Sequence, residues 1–363
     1  MQQGITINGK KYSKEDITSL HQIFEKTYGK DSFEINVAGF LQEWYNDNSL
    51  LKVHTSGSTG IPKELWVEKE KMKNSARLTV SFLGLKQGDS ALLCMPLPYI
   101  AGKMVVVRSI VAGLNLITVT PCGKPLEHLD IMPDFAAMIP MQVYNSLQNE
   151  SDKSRLKQIK HLIIGGGAID EKMAEELKSF PNAVWSTYGM TETLSHIALR
   201  RLNGDEASSW YTPFDNVKIS LSEEGTLIIH APSVNPEVLV TNDIVEINSK
   251  GQFRIIGRKD NIINTGGVKV QIEKVENELK TLLPEGCEFM VTSVKDEKFG
   301  ERVVFLTSSI EISDNIINKA ITKLPQYWKP KQIIRCEELP LTGTGKPDRA
   351  KARKVAEELV MKQ

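Results

Sequence analysis

Long apolar runs are missing from this 363-residue chain. No stretch approaches the roughly 18 apolar residues of a membrane-crossing helix. The polar start Met1-Gln2-Gln3-Gly4 carries no signal-peptide core, which sets the expectation of a cytoplasmic protein without a membrane partner. Excess charge is missing too. Lys+Arg and Asp+Glu both count 45, so no global field recruits nucleic acid or an anionic surface, and any anion site must be local. Cysteine is sparse: Cys94, Cys122, Cys287 and Cys336 have neither metal-ligand spacing nor a disulfide rhythm and read as plain thiols. Repeats and low-complexity tracts are absent. What remains is a chain 40% hydrophobic, long enough for about two ordinary domains.

Short apolar runs at 91–95, 116–119 and 161–164 read as buried strands, and the stretches near 69–83, 103–112 and 170–180 read as helices. Their alternation predicts an α/β core with a largely parallel sheet. Phe33, Val37, Phe40, Leu41 and Trp44 at helical spacing predict a packing helix over 33–45. From 213 to 256 the texture turns to β, with hairpin-like pieces at 217–221, 226–230 and 253–256. A domain boundary is expected between Gly257 and Asp260, dividing the chain into residues 1–257 and 258–363. Beyond it, a helix carrying Ile272, Val275, Leu279 and Leu282, a strand over 302–306 and a helix near 313–324 make a small βαβ-type domain.

Five segments carry chemistry. The first, Thr55-Ser56-Gly57-Ser58-Thr59-Gly60-Ile61-Pro62-Lys63, joins glycines, hydroxyls and a lysine, the ingredients of a phosphate cradle. It is not a Walker loop, because Lys63 does not follow Gly60 directly and no Ser or Thr follows Lys63. Second, a strand runs into Gly165-Gly166-Gly167-Ala168, where bare backbone suits a flat ring. The third, Tyr188-Gly189-Met190-Thr191-Glu192-Thr193, sets an aromatic face, a hydroxyl and a carboxylate suited to Mg²⁺ at a strand end. Fourth, Thr241-Asn242-Asp243 offers an acid to a ribose diol, and Gly257-Arg258-Lys259-Asp260 leads through Gly266-Gly267-Val268-Lys269 into a helix. The fifth, Leu339 to Lys346, ends on Thr344-Gly345-Lys346, a lysine on a Gly/Thr loop.

In that order the five segments resemble the adenylate-forming superfamily of acyl-CoA synthetases, luciferases and peptide-synthetase adenylation domains, over about residues 50–350. The resemblance implies a large α/β N-terminal domain with a β-rich subdomain, followed by a small mobile α+β C-terminal domain hinged at Asp260. It implies ATP, Mg²⁺ and CoA as cofactors or substrates: a carboxylic acid attacks the α-phosphate of ATP, releasing pyrophosphate, and a thiol then displaces AMP. Thr55, Ser56, Gly57, Ser58, Thr59, Gly60 and Lys63 would grip the β- and γ-phosphates, and Gly165 to Ala168 with Tyr188 and Gly189 would enclose adenine. Thr191 would meet the α-phosphate, Glu192 would hold Mg²⁺, and Asp243 and Arg258 would bind the ribose. Lys346 would bridge carboxylate and α-phosphate, while Gly267 and Lys269 would face CoA. Glu64 and Asn242 stand where glycine is usual. The phosphate run also begins earlier than in full-length members, so much of the usual first subdomain is expected to be absent, leaving part of the acyl pocket, or a dimer surface, built differently, with a homodimer among the expected partners.

The segment Pro96 to Met104 should shape the acid pocket, gated by Tyr99. It and the glycine turn are most similar to o-succinylbenzoate-CoA ligases of menaquinone biosynthesis. Lys103, Arg108, Ser195 and His196 are polar or cationic groups suited to a second carboxylate. Three alternatives stay open at this point: another aryl- or acyl-CoA ligase, an enzyme loading a carrier protein, and a truncated nucleotide-binding regulator.

Overall fold

A computed structural model describes residues 4–54, 64–167, 169, 171–342 and 347–361. Of the expected site, Thr55, Ser56, Gly57, Ser58, Thr59, Gly60, Lys63, Ala168 and Lys346 lie outside the described residues.

The first strands, β1 (Gly4–Ile7) and β2 (Lys10–Ser13), form an antiparallel hairpin, as do β3 (Leu50–His54) and β4 (Glu64–Glu68). They are followed by β5 (Ser90–Leu93), β6 (Asn115–Thr118), β7 (Phe135–Met138), β8 (His161–Ile164), β9 (Ala183–Gly189), β10 (His196–Arg201) and β11 (Thr212–Pro213). All but β3 and β4 share a nine-stranded sheet in the order β11-β10-β9-β8-β7-β5-β6-β1-β2. From β9 to β1 the pairs are parallel, and antiparallel strands close both edges. Every residue of β7, Phe135 to Met138, is buried, because a central parallel strand is covered on both faces. Residues before the phosphate run are not a stray extension: Ile5 and Ile7 of β1 are buried, and β1 extends the parallel sheet beside β6.

The helices of this half are α1 (Leu20–Tyr28), α2 (Phe33–Tyr45), α3 (Lys69–Leu83), α4 (Ile100–Ala112), α5 (Pro140–Leu147), α6 (Glu150–Gln158) and α7 (Glu171–Leu177). The apolar stripe expected over 33–45 is buried in α2. Two expectations need correcting at their ends: α4 starts at Ile100 rather than 103, with Tyr99 as its N-cap, and α7 stops at Leu177 rather than 180. The buried stripe of α3 includes Met72, Ser75, Ala76, Thr79 and Leu83, at helical spacing, and packs on α4. Both helices end on a glycine in the left-handed region, Gly84 at φ 66° and Gly113 at φ 69°.

A four-stranded antiparallel meander follows, β12 (Lys218–Leu221), β13 (Thr226–His230), β14 (Leu239–Ile247) and β15 (Phe253–Arg258). A bridge between Tyr211 and Phe253 fastens it to the large sheet. The last part comprises β16 (Ile262–Thr265), β17 (Val268–Gln271), α8 (Ile272–Leu282), β18 (Phe289–Asp296), β19 (Gly300–Thr307), α9 (Asp314–Lys323), β20 (Ile333–Arg335) and α10 (Arg349–Met361). Here the βαβ-type expectation is corrected. The turn from Asp296 to Gly300 is too short for a crossover, so β18 and β19 pair antiparallel, and β20 alone adds in parallel. Buried apolar residues segregate around this point: two clusters draw on residues from Ile5 to Phe253, and two others on residues from Ile263 to Ala356.

The start of α10 is pinned by a bidentate pair, Arg349 Nη1 and Nη2 donating to Glu276 Oε1 and Oε2 at 2.5 and 2.6 Å. Glu276 also accepts from the Val291 amide at 2.8 Å. Removing the cation from such a buried pair leaves a desolvated carboxylate, so Arg349→Met should cost about 3 kcal/mol. Urea unfolding followed through Trp328 checks this; an unchanged midpoint would show that the pair stabilises nothing.

Candidate active site

Open α/β sheets place ligands beyond the carboxyl ends of their strands, and part of the sequence-expected set lies there. β8 runs into Gly165-Gly166-Gly167, β9 ends at Gly189, and β5 leads to Tyr99 at the start of α4. Gly165 lies so close to β9 that a Cβ would come within 2.3 Å of Thr187 Oγ1, and Gly166 has a φ of 80°. Backbone is therefore bare along this edge.

Tyr188, by contrast, offers little open surface. It is 7% exposed, set edge-on against Phe253 and tilted against Tyr211. Its hydroxyl donates to Asp243 Oδ2 at 2.5 Å, and Arg258 Nη1 donates to Asp243 Oδ1 at 3.1 Å. The β14–β15 register fixes this pairing, since Asp243 stands opposite Arg258. Burial first, then the Asp243 charge, raises the Tyr188 phenol far above its ordinary range. Arg258 also donates to Asp260 at 3.0 Å. Burial pulls its guanidinium down, but the bond to Asp260 and the charge of Asp243 outweigh this and raise it. The two residues expected at a ribose are thus already held together, with one carboxylate presented by a phenol and a guanidinium.

Between β9 and β10 the chain folds tightly on itself. Thr191–Thr193 form one short 3-10 turn, and Leu194 takes a φ of 62°, unusual for a bulky residue. Thr193 Oγ1 clasps the turn by accepting from the Met190 amide at 3.0 Å and donating to the Ser195 carbonyl at 2.7 Å. Glu192 is exposed, and its carbonyl accepts from Asn235 Nδ2 at 3.0 Å. The same turn delivers Ser195 and His196 to a buried polar cluster. Arg108 Nη2 donates to Ser195 Oγ at 2.6 Å, Ser195 Oγ lies 3.2 Å from His196 Nδ1, and His196 Nε2 lies 3.0 Å from Thr79 Oγ1. Arg108 is 2% exposed and its Nε has no hydrogen-bond partner among the described residues. Burial alone pushes its guanidinium down to about 9, so it is still charged at neutral pH. Burial, and secondarily the Arg108 charge, drive His196 well below the usual imidazole range.

Lys103 does not join this cluster, and that expectation is corrected. Five residues turn a helix through about 140°, so Lys103 leaves α4 on another side from Arg108. It donates to the Lys52 carbonyl at 2.6 Å and lies over the Phe40 ring, 5.6 Å from its centroid. Tyr99 is exposed at the α4 N-cap and bridges to His54 of β3. Gly267, at φ 82°, turns the chain between β16 and β17, and Lys269 stands exposed on β17. Thr79, Tyr211 and Phe253 were not singled out from the sequence. Thr79 had one signal, a hydroxyl inside the apolar stripe of α3; the two aromatics had none.

The family model for AMP-binding enzymes matches residues 15–245, which span most of this geometry. The chain belongs to the AMP-binding enzyme family. This AMP-binding enzyme is 25% identical over 355 residues to a 2-succinylbenzoate–CoA ligase of Bacillus cereus, covering 89% of this chain and 73% of that one. Among solved structures, an acyl-CoA synthetase (AMP-forming)/AMP-acid ligase II-like protein of Dyadobacter fermentans is 31% identical with a TM-score of 0.62, over 89% of this chain and 94% of that one. The o-succinylbenzoate coenzyme A synthetase MenE of Bacillus subtilis, solved with ATP and a magnesium ion, is 19% identical with a TM-score of 0.67, over 83% and 69% of the two chains. At that identity it shows the fold alone, a mixed α/β architecture shared by this chain.

The contact at Gly165 gives a direct test. Gly165→Ala should destabilise the protein by about 1–2 kcal/mol, because the new methyl meets a stiff β-branched side chain. Adding Thr187→Ala should restore most of that loss, a coupling that melting temperatures of the two single variants and the double variant will show or refute.

Proposed function

We propose that this AMP-binding enzyme is an acid–CoA ligase that joins a carboxylic acid to ATP as an acyl-adenylate and then to CoA as a thioester, and that its acid is o-succinylbenzoate. The observation that carries the acid assignment is Arg108. A buried guanidinium with no carboxylate partner among the described residues, bonded to Ser195 in the turn that also bears Thr191 and Glu192, is suited to a second, non-reacting carboxylate. The name of the Bacillus cereus relative, a 2-succinylbenzoate–CoA ligase, points the same way.

The site's donor set fits the nucleotide. Asp243, held by Tyr188 and Arg258, presents a carboxylate to a ribose diol, and the turn Gly165-Gly166-Gly167 at the end of β8 offers backbone without side chains to a flat base. Thr191 adds a hydroxyl donor for the α-phosphate. Glu192, an exposed carboxylate, suits Mg²⁺, which when bound supplies positive charge beside phosphate oxygens. In the first half-reaction a carboxylate oxygen bonds to the α-phosphorus as the bond to pyrophosphate breaks. In the second, the CoA sulfur bonds to the acyl carbon, AMP leaves, and the thiol proton goes to solvent. No covalent bond to the protein forms, so the side chains contribute position and charge. Lys346 is assigned to the first step and the Gly267–Lys269 hairpin to the second, with residues 258–363 turning about Asp260 between them. The break between apolar clusters at residues 254–262 supports that division. We place the enzyme in the cytoplasm, where all three small substrates are found.

Mass spectrometry of products formed from ATP, Mg²⁺, CoA and a panel of acids should find o-succinylbenzoyl-CoA as the main thioester. Arg108→Met should raise the KM for that acid about tenfold to a hundredfold, the weight of a charge-assisted hydrogen bond. Lys346→Ala should abolish pyrophosphate release. Another dominant thioester would overturn the acid assignment and leave the family untouched.

A further inference from the structure

The polar cluster behind Arg108 has a direction, and the direction ends at a residue outside the nucleotide motifs. A guanidinium only donates, so Ser195 Oγ is the acceptor of the 2.6 Å bond from Arg108 Nη2. The Ser195 hydroxyl must then place its own proton elsewhere, and the acceptor within reach among the described residues is His196 Nδ1 at 3.2 Å. With Nδ1 accepting, a neutral imidazole carries its proton on Nε2. That N–H meets Thr79 Oγ1 at 3.0 Å, and the Thr79 hydroxyl passes its proton to the Ser75 carbonyl, one helical turn back at 3.4 Å. Run this way, every proton in the chain has an acceptor. Run the other way, Ser195 Oγ would receive two donors and its own proton would have no acceptor among the described residues.

Burial makes the order matter. Thr79 is fully buried and His196 is 6% exposed, and the imidazole packs edge-on against Phe214. Water cannot replace a lost partner there, and burial beside Arg108 already disfavours the imidazolium. We infer that Thr79 is a positioning residue for acid recognition: it holds His196 in the Nε2-protonated form, which keeps Ser195 Oγ turned as an acceptor and so fixes the Arg108 guanidinium toward the anionic end of the acid. This rests on the acid assignment made above for Arg108.

Without the Thr79 hydroxyl, the imidazole proton is better placed on Nδ1. It would then donate to Ser195 Oγ and compete with Arg108 for the same oxygen. The cost falls on whatever the guanidinium holds, and not on the nucleotide.

Two measurements test this. In ¹⁵N-histidine-labelled protein, the His196 signal, assigned by its loss in His196→Gln, should show a protonated Nε2 and an unprotonated Nδ1. A protonated Nδ1, or an imidazolium, at neutral pH overturns the inference even if no Thr79 variant folds. Kinetically, Thr79→Val should raise the KM for o-succinylbenzoate about tenfold with little change in kcat, Thr79→Ser should recover it, and the KM for 4-oxo-4-phenylbutanoate, which lacks the aryl carboxylate, should stay put. A Thr79→Val that weakens both acids alike, or that Ser does not rescue, marks a packing role and sinks the proposal. If the unmodified enzyme does not discriminate between the two acids, it is the reading of Arg108 that fails, while the histidine signal still decides the proton order.

Discussion

The site depends on one close approach of main chain to main chain. For β10 to turn back antiparallel beside β9, the chain leaving Gly189 must return within seven residues and lie against it. A Cβ on Gly189 would come within 2.2 Å of the Ser195 carbonyl and 2.5 Å of His196 Cα, so only a bare α-carbon lets the strands close. The turn is finished by a left-handed Leu194 and the Thr193 clasp, a strained conformation held because two hydrogen bonds over-determine it. As a result Thr191 and Glu192, on one limb, and Ser195 and His196, on the other, form a single mechanical piece. The proposed nucleotide end and the proposed acid end of the site are thus set by the same few residues.

Charge is arranged in two contrasting ways around that piece. Arg258 is compensated by Asp243 and Asp260, and its guanidinium is stabilised in the charged form. Arg108 has a hydroxyl and no anion among the described residues, and burial works against its charge. A compensated cation organises its neighbours before a ligand arrives. A buried uncompensated one leaves part of its interaction to be completed by a ligand, since the protein itself does not supply the counter-charge. The neutral overall balance of the chain sharpens this, because the attraction for an anion is confined to where single guanidinium groups sit.

Much of the fold was legible because it rests on local pattern. The apolar runs at 91–95 and 161–164 contain the buried cores of β5 and β8, and α2 shows its buried stripe as plain periodicity. The C-terminal strands were harder: Arg302 to Leu306 reads as a strand in isolation, but its antiparallel partner follows from a turn length that only matters once pairing is known. Of the candidate site, the glycine turn and the residues from Tyr188 to Thr193 stood out as rare strings of special residues. Lys103 and Arg108 are both cations on one helix, but the 3.6-residue period sends them to different sides. Thr79 is silent in the sequence because its partner His196 lies 117 residues away.

The sequence by itself determined the parts whose chemistry is written in adjacent residues: the α/β alternation, the adenylate-forming motifs in their order, and the absence of any global charge. Tertiary structure alone decided that Asp243 is shared by Tyr188 and Arg258, that Lys103 turns away, and that Arg108 ends a buried chain of hydroxyls and imidazole. The reason is physical. Backbone periodicity is a local property, whereas the protonation and direction of a buried polar group depend on which distant atoms remain to bond it once water has been removed.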